Sequence, residues 1–424
     1  MTGVKKSPFE GSSKPQEVIS QDSTNGFLRI FKAVPRGVFA VSFFGLFLGM
    51  SMTMVYSQIG MFMKTEIHAT EATVALMDGI IEFVSFMCRV FVGAISDCLR
   101  ERKLFLMIGC IITLFARPFL ATAATSFMVT AIGAMERIGN GLQATPRDAL
   151  IADLSPAENR GMAYGFSRSM KTVGALMGIP IAILIMYFTG NNYRIVFTCA
   201  AFPALIAIIC LMKIKTPSEA KSSSNEPRTI SNPFRRRYLK SLDVAFWKVL
   251  ALAFMFELGH FTETLLPIYA NQYLSRTTAG SESMFVSLGQ ILMSFPVGLC
   301  ADRFGKPMLI RICMACMVIA NLSFIFIESI FGVYLGAFLW GGQMTAIQGL
   351  FLSIISSMAD ARIRATAIGT YYITIGASFL TASVIAGRIW TNFGGKYAFM
   401  YSLCVSCFAL CMSLLLLPRN KGRG

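Results

Sequence analysis

Glu257, His260 and Glu263 recur three residues apart in an otherwise apolar run, and on a continuous helix neighbouring members of such a set can share a proton. Carboxylates and an imidazole kept away from water suit reversible proton carriage, although Ser, Thr and Gln from other helices could equally satisfy them as a static polar cluster. A second set is Asp78, Glu82 and Arg89, which at 100° per residue fall within about 40° of one another around a helix. It reads either as a proton or solute path or as a clamp to a neighbouring helix. Glu136, Asn140 and Gln143 share a third face with Arg137 beside it, and Arg168 and Lys171 follow one turn apart. Arg89, Arg117, Arg137, Arg168 and Lys171 outnumber Asp78, Glu82 and Glu136 by two in the first half of the chain. An anionic or zwitterionic solute could balance that surplus, unless Glu257 and Glu263 do so across the molecule. Trp340, Gln343, Thr345 and Gln348 suit the stacking and hydrogen bonding of a polar organic solute, while packing alone also accounts for Trp340.

The elements that must hold these groups are membrane spans. Hydrophobic residues make up 55% of the 424 and charged residues 14%, against roughly a quarter charged in soluble domains. Apolar runs of about twenty residues predict helices near 37–59, 73–97, 104–124, 127–151, 161–187 and 194–212, then near 246–271, 284–302, 308–327, 330–356, 365–387 and 397–417. The expected organisation is a cytoplasmic tail (1–36), a six-helix bundle (37–212), a polar cytoplasmic loop (213–245), a second six-helix bundle (246–417) and a short cytoplasmic tail (418–424). The N-terminal stretch is polar and basic, without the apolar core of a signal peptide.

A net charge of +16 would suggest nucleic acid in a soluble chain. Position removes that reading: with both termini cytoplasmic, 28 of the 38 Lys and Arg fall on the cytoplasmic side, and only Lys64, Arg194, Arg276, Arg388 and Lys396 fall outside. The run Arg235, Arg236 and Arg237 anchors topology or meets anionic lipid head groups. Ten of the eleven cysteines lie in apolar runs and read as small hydrophobes, so no disulfide, metal or cofactor is expected. The 26 methionines read as adaptable packing. The pairs Gly45 and Gly49, Gly174 and Gly178, and Gly332 and Gly336 have the spacing that lets helices approach closely, as rocking halves require.

An internal repeat is visible. Gly93 and Asp97 recur as Gly298 and Asp302, an offset of 205, and Arg160, Ala163 and Gly165 recur as Arg364, Ala367 and Gly369, an offset of 204. Gly298, Asp302, Arg303, Gly305 and Lys306 resemble the loop signature G-x-x-x-D-R-x-G-[RK] of the major facilitator superfamily. The first copy keeps Gly93, Asp97, Arg102 and Lys103 but has Cys98 and Arg100 where the signature has Arg and Gly. Arg137-Ile-Gly-Asn140-Gly141 is similar to a superfamily motif linked to proton-coupled transport. Gly165, Gly174 and Gly178 with Pro180 are close to its antiporter motif, the proline one place late. Asp78 to Glu82, Ala116-Arg117-Pro118, Pro146 to Asp153 and Gly387 to Trp390 resemble a narrower bacterial branch.

That resemblance implies an all-α membrane protein of two pseudo-symmetric six-helix bundles with a site between them. It also implies cytoplasmic gating through Gly93, Asp97, Arg102, Lys103, Gly298, Asp302, Arg303, Gly305 and Lys306. The expectation is a secondary transporter, a monomer in a bacterial inner membrane, moving a small polar or anionic organic solute by alternating access. Asp78, Glu82, Glu257, His260 and Glu263 would couple it to protons; Arg117, Glu136, Arg137, Asn140, Gln143, Arg168, Lys171, Trp340, Gln343 and Gln348 would bind solute. The rivals are a proton-antiport pump for amphipathic drugs or siderophore-like compounds and a non-transporting membrane sensor. An enzyme is poorly supplied, since the two histidines are His260 and His68, the latter in a predicted external loop.

Overall fold

In lipid every backbone polar group has to be satisfied within its own segment, which favours helices. The computed structural model describes residues 36–99, 102–155, 160–213, 242–358 and 364–417, and no strand occurs among them. The first set of helices is α1 (Arg36–Thr65), α2 (Glu71–Leu99), α3 (Arg102–Ala121), α4 (Ser126–Leu154), α5 (Arg160–Phe188), α6 (Tyr193–Cys199) and α7 (Ala201–Met212). The second is α8 (Val244–Leu258), α9 (Leu266–Ala270), α10 (Glu282–Phe304), α11 (Lys306–Phe326), α12 (Ile330–Met358), α13 (Arg364–Phe393) and α14 (Gly395–Leu416). Nine stretches of the described residues are long and apolar enough to cross a bilayer, α6 with α7 and α8 with α9 each counting as one. The other long helices, α2, α4 and α10, have 29, 29 and 23 residues. The basic run at Arg235 to Arg237 lies outside the described residues.

Large apolar side chains face outward, as at Phe115, Phe127, Phe188 and Leu415, while Arg117, Glu136, Asp78 and Glu257 are buried. That inversion of the pattern of a water-soluble protein places lipid against the outer surface.

Two expected helices are interrupted. Pro203 has no amide hydrogen for the carbonyl of Cys199, and the sixth span divides there into α6 and α7. Ser51 donates 2.6 Å to the neighbouring carbonyl of Ala200. The expected continuous helix 246–271 ends at Leu258, turns at Gly259, runs through an irregular stretch to Thr262 and a single 3₁₀ turn at Glu263–Leu265, and resumes as α9. Pro267 in the first turn of α9 removes the amide that would have served Glu263. The carbonyls of Leu258 and Gly259 are served instead by the hydroxyls of Tyr401, at 2.8 Å, and Ser402, at 2.5 Å.

The first bundle is tied by α1 along α5 and by α4 along both α2 and α3; the second by α12 along α10 and α11, with α14 on α11. A Cβ on Gly174 would run into the carbonyl of Leu46, and one on Gly178 into that of Met50. The Gly45, Gly49, Gly174 and Gly178 contact is therefore a fixed seam inside one bundle, which corrects the expectation that it lies between moving halves. The main contact between bundles is α2 against α13, where Gly79 meets Leu380 and Ser383, Gly376 meets Phe86, and Gly387 meets Ala75. Gly305, at φ 81°, is the single residue turning α10 into α11, a conformation that L side chains rarely adopt, and accounts for the glycine in the loop signature.

Gly174→Val should lower the thermal stability of the detergent-solubilised protein by about 1–3 kcal/mol through overpacking. Gly165→Val, where an added Cβ meets nothing within 4 Å, should leave the unfolding midpoint in place. Equal midpoints for the two variants would contradict the seam.

Candidate functional site

The two bundles enclose about 970 Å³ of atom-free space, its open mouth included. The first bundle supplies Thr53, Tyr56 and Ser57 from α1, Asp78, Glu82 and Phe86 from α2, and Arg137 from α4. The second supplies Glu257 from α8, Glu263 and Thr264 from the 3₁₀ turn, Ser283, Ser287 and Gln290 from α10, Gln348 from α12 and Phe379 from α13. Four carboxylates and one guanidinium thus converge from both halves.

The interruption of the seventh span spreads its polar side chains in several directions. Glu257 and Glu263 line the cavity. His260 lies buried behind Glu257, with Nδ1 3.6 Å from Oε1 and its ring 5.0 Å from that of Trp340. Thr262 reaches across to α2, its hydroxyl donating a short hydrogen bond to Oδ2 of Asp78. Glu257 and His260 keep the expected i, i+3 proximity, while Glu263 sits on the 3₁₀ turn beyond the end of the helix, so the three do not share one continuous helical face.

On α2, Asp78 and Glu82 face the cavity as their spacing predicts. Arg137 pairs with Glu82 and lies over the Tyr56 ring, its guanidinium carbon 4.5 Å from the centroid. Arg89 is exposed and lies over Phe86 and Tyr372, at 5.1 and 5.8 Å.

Of the expected solute-binding residues, Arg137 and Gln348 line the cavity. Arg117, fully buried, pairs with Glu136 at 2.9 Å and donates to Ser51 at 3.2 Å, tying α3, α4 and α1 together behind the wall. Gln143 donates 3.1 Å to Thr113 on α3, and Asn140 keeps a buried amide nitrogen without a partner. Arg168 is exposed and Lys171 half-buried on α5, neither in the cavity lining. Trp340 is buried among Phe261, Phe324 and Phe399, and Gln343 donates to the sulfur of Met317 at 3.4 Å. The basic surplus of the first half therefore does not gather at the cavity.

The side chains of Gly93, Asp97, Arg102, Gly298, Asp302 and Arg303 lie outside the described residues. Lys103 donates 3.4 Å to the carbonyl of Met212, and Lys306 opens α11. Sequence reasoning passed over Tyr56, Phe86, Thr264, Gln290 and Phe379. They carry no charge and so gave no signal in an apolar run; the one local mark near them is Thr262, which caps the turn bearing Thr264 ahead of Pro267.

The cavity is bridged on one side. On the face formed by the connections 66–70, 189–192 and 394, the amide of Ala72 donates 2.9 Å to Thr391, and Thr277 donates 2.7 Å to Asn191, both between bundles. Below them Gly60 packs on the carbonyl of Thr264, and Gly280 on that of Ser57. Together with Thr262 and Asp78, these contacts join the two bundles on that face.

Comparison with known proteins decides the family. The family model of the Major Facilitator Superfamily matches residues 41–274 and 261–424. The chain belongs to the Major Facilitator Superfamily. It is 25% identical, over 91% of its length and 95% of the relative's, to an uncharacterized MFS-type transporter of Methanocaldococcus jannaschii. It is also 25% identical to a probable 4-methylmuconolactone transporter of Cupriavidus pinatubonensis, over 78% of each chain. Among solved structures a nucleoside transporter superposes with TM-score 0.75 at 12% identity, covering 90% of this chain and 99% of the other. A D-xylose-proton symporter superposes with TM-score 0.68 at 15% identity, covering 91% and 98%. These two likenesses establish the fold. The protein is a multi-pass membrane transporter of the superfamily, whose family and fold are those of transporters rather than enzymes.

If Arg117 and Glu136 are a structural clamp, Arg117→Met alone should cost about 3–5 kcal/mol by leaving a buried carboxylate unpaired. The double variant Arg117→Met with Glu136→Leu should recover most of that loss in a thermal-unfolding assay. A single variant as stable as the parent would remove the clamp.

Proposed function

We propose that this transporter is a secondary carrier that moves a small polar organic solute through the central cavity by alternating access, driven by protons. The observation that carries the reading is the convergence of Asp78, Glu82, Glu257 and Glu263 with Arg137 on one cavity between the bundles. Charged groups at membrane depth are costly, so this much ionisable chemistry around a shared space is best explained by traffic through it. Asp78, Glu82, Glu257 and Glu263 are the proton-carrying candidates, with His260 behind Glu257. Arg137, Gln290 and Gln348 are the hydrogen-bonding wall for solute. The solutes named for the relatives, 4-methylmuconolactone, nucleosides and D-xylose, are all small organic molecules, which supports the size class.

In this reading the bridges at Ala72, Asn191 and Asp78 part when the carrier turns over, and Asp97 and Asp302 govern closure of the opposite face. The setting proposed is the inner membrane of a bacterium, with both termini cytoplasmic and the protein working as a monomer. An anionic solute, suggested by the charge surplus along the first six spans, gains no support from an acidic cavity. The antiport-like glycines of α5 leave import and export to be separated by flux.

The test is a comparison of metabolite accumulation between cells with and without the protein, repeated with the proton gradient collapsed. A polar solute should accumulate differently and lose that difference without the gradient. Gln290→Trp, which fills the cavity, should abolish the difference while the protein remains folded, and Asp302→Ala should slow it. Undiminished flux in a folded Gln290→Trp variant would place the path elsewhere.

A further inference from the structure

We infer that the solute carries a protonated amine, anchored between Glu257 and Glu263 and covered by aromatic faces. The inference deepens the carrier reading above and rests on it.

The charges of the cavity do not balance. Arg137 is committed to Glu82 on one flank and to the Tyr56 ring on the other. Asp78 is held by the Thr262 hydroxyl. That leaves Glu257 and Glu263, both on the wall, where among the described residues neither forms an ion pair with a lysine or arginine. The hydroxyl on Asp78 brings no positive charge of its own. Glu257 is 4% exposed, and its Oε1 has no hydrogen-bond partner; Oε1 of Glu263 is likewise buried and unpartnered. The basic group facing Glu257 is the His260 imidazole, its Nδ1 3.6 Å away, within reach of an ion pair and beyond hydrogen-bonding distance. Its own Nε2 is buried and unpartnered. Two carboxylates so placed need a proton each or a cation.

The rest of the wall favours an organic cation over protons alone. Phe379 lines the same space as the two carboxylates, and Phe86, which already carries the Arg89 guanidinium 5.1 Å from its centroid, shows that this wall takes a cation on an aromatic face. Ser283, Ser287 and Gln290 on α10 offer hydroxyls and an amide to a polar remainder of the solute. An N–H bearing ammonium seated against this wall would donate charge-assisted hydrogen bonds to the Glu257 and Glu263 carboxylates, stronger than neutral pairs. The interrupted seventh span makes this possible, since Glu257 precedes the break and Glu263 follows it, so the two approach a solute from separate backbone segments.

Three probes that differ mainly in charge test the inference: phenethylammonium, 2-phenylethanol and phenylacetate, titrated at neutral pH against the purified full chain in detergent, with the unfolding midpoint as readout. Phenethylammonium should raise the midpoint saturably, and the alcohol and the carboxylate should not. Glu257→Gln should weaken the ammonium effect about tenfold, the worth of one good charge-assisted contact. Glu257→Asp should keep the preference for the cation, and Glu328→Gln, on an exposed pair with Lys396, should leave it unchanged. Should Glu257→Gln fail to fold, Glu263→Gln and Glu257→Asp carry the comparison.

Equal response to all three probes, no response to any, or full ammonium binding in Glu257→Gln would overturn the inference. The last result is what carboxylates that hold only protons would give, because glutamine reproduces the neutral acid. Gradient-dependent flux blocked by Gln290→Trp would survive such an outcome, leaving the carrier reading in place without a cationic solute. Ammonium binding without any flux would do the reverse.

Discussion

A helix cannot be broken inside a bilayer unless its freed carbonyls find donors, and the arrangement of this protein depends on one such break. Between Leu258 and Glu263 the seventh span gives up its helical bonds, and Tyr401 and Ser402 of α14 supply the missing donors. The unwound segment then directs Glu257 and Glu263 to the cavity, His260 toward Trp340, and Thr262 to Asp78 on the opposite bundle. A straight helix would have spread those side chains along one broad face. The break gathers chemistry from both bundles around one cavity.

Around that break the molecule divides into tightly tied bundles and a smoother contact between them. The first bundle is held by α1 against α5, where backbone meets backbone at Gly174 and Gly178, and by the Arg117, Glu136 and Ser51 network that joins three helices. The second is held by an aromatic cluster in which Phe324 stacks on Phe399 at 4.4 Å and Tyr269 donates 2.5 Å to the Phe324 carbonyl. Between bundles the long contact of α2 with α13 is lined by Gly79, Gly376 and Gly387 and carries few directional bonds. Such a surface can shift with little loss, whereas the bonds at Asn191, Thr391 and Asp78 must be made or broken. Rigid bundles with a smooth seam and a few polar latches are what rocking requires.

Much of this was legible in the sequence, and what was not has a physical reason. Span positions follow from hydropathy because lipid demands long apolar helices, and the helical face of Asp78 and Glu82 follows from the 3.6-residue repeat. The Gly305 turn was readable because the signature glycine sits where φ is positive. Which cations meet which anions was not readable: Arg117 and Glu136 close on each other, and Arg137 turns to Glu82, so the surplus of positive charge disperses. Trp340 looked like a stacking platform and is buried in the aromatic cluster. The break in the seventh span left only faint marks, Gly259, Thr262 and Pro267, against fifteen preceding residues of unbroken helix. Neutral wall residues such as Gln290 and Tyr56 carried none.

The central claim is that these titratable groups share an aqueous cavity and do not face lipid. Gln290 lines the cavity on α10, and Leu292, two residues on, is 59% exposed on the outer surface. Each can be replaced singly by cysteine on a background lacking the eleven native ones and treated with a hydrophilic thiol reagent in membranes. The account predicts rapid labelling of Gln290→Cys and almost none of Leu292→Cys. Labelling of the second with the first inert would put water and lipid on the wrong sides of α10 and contradict it.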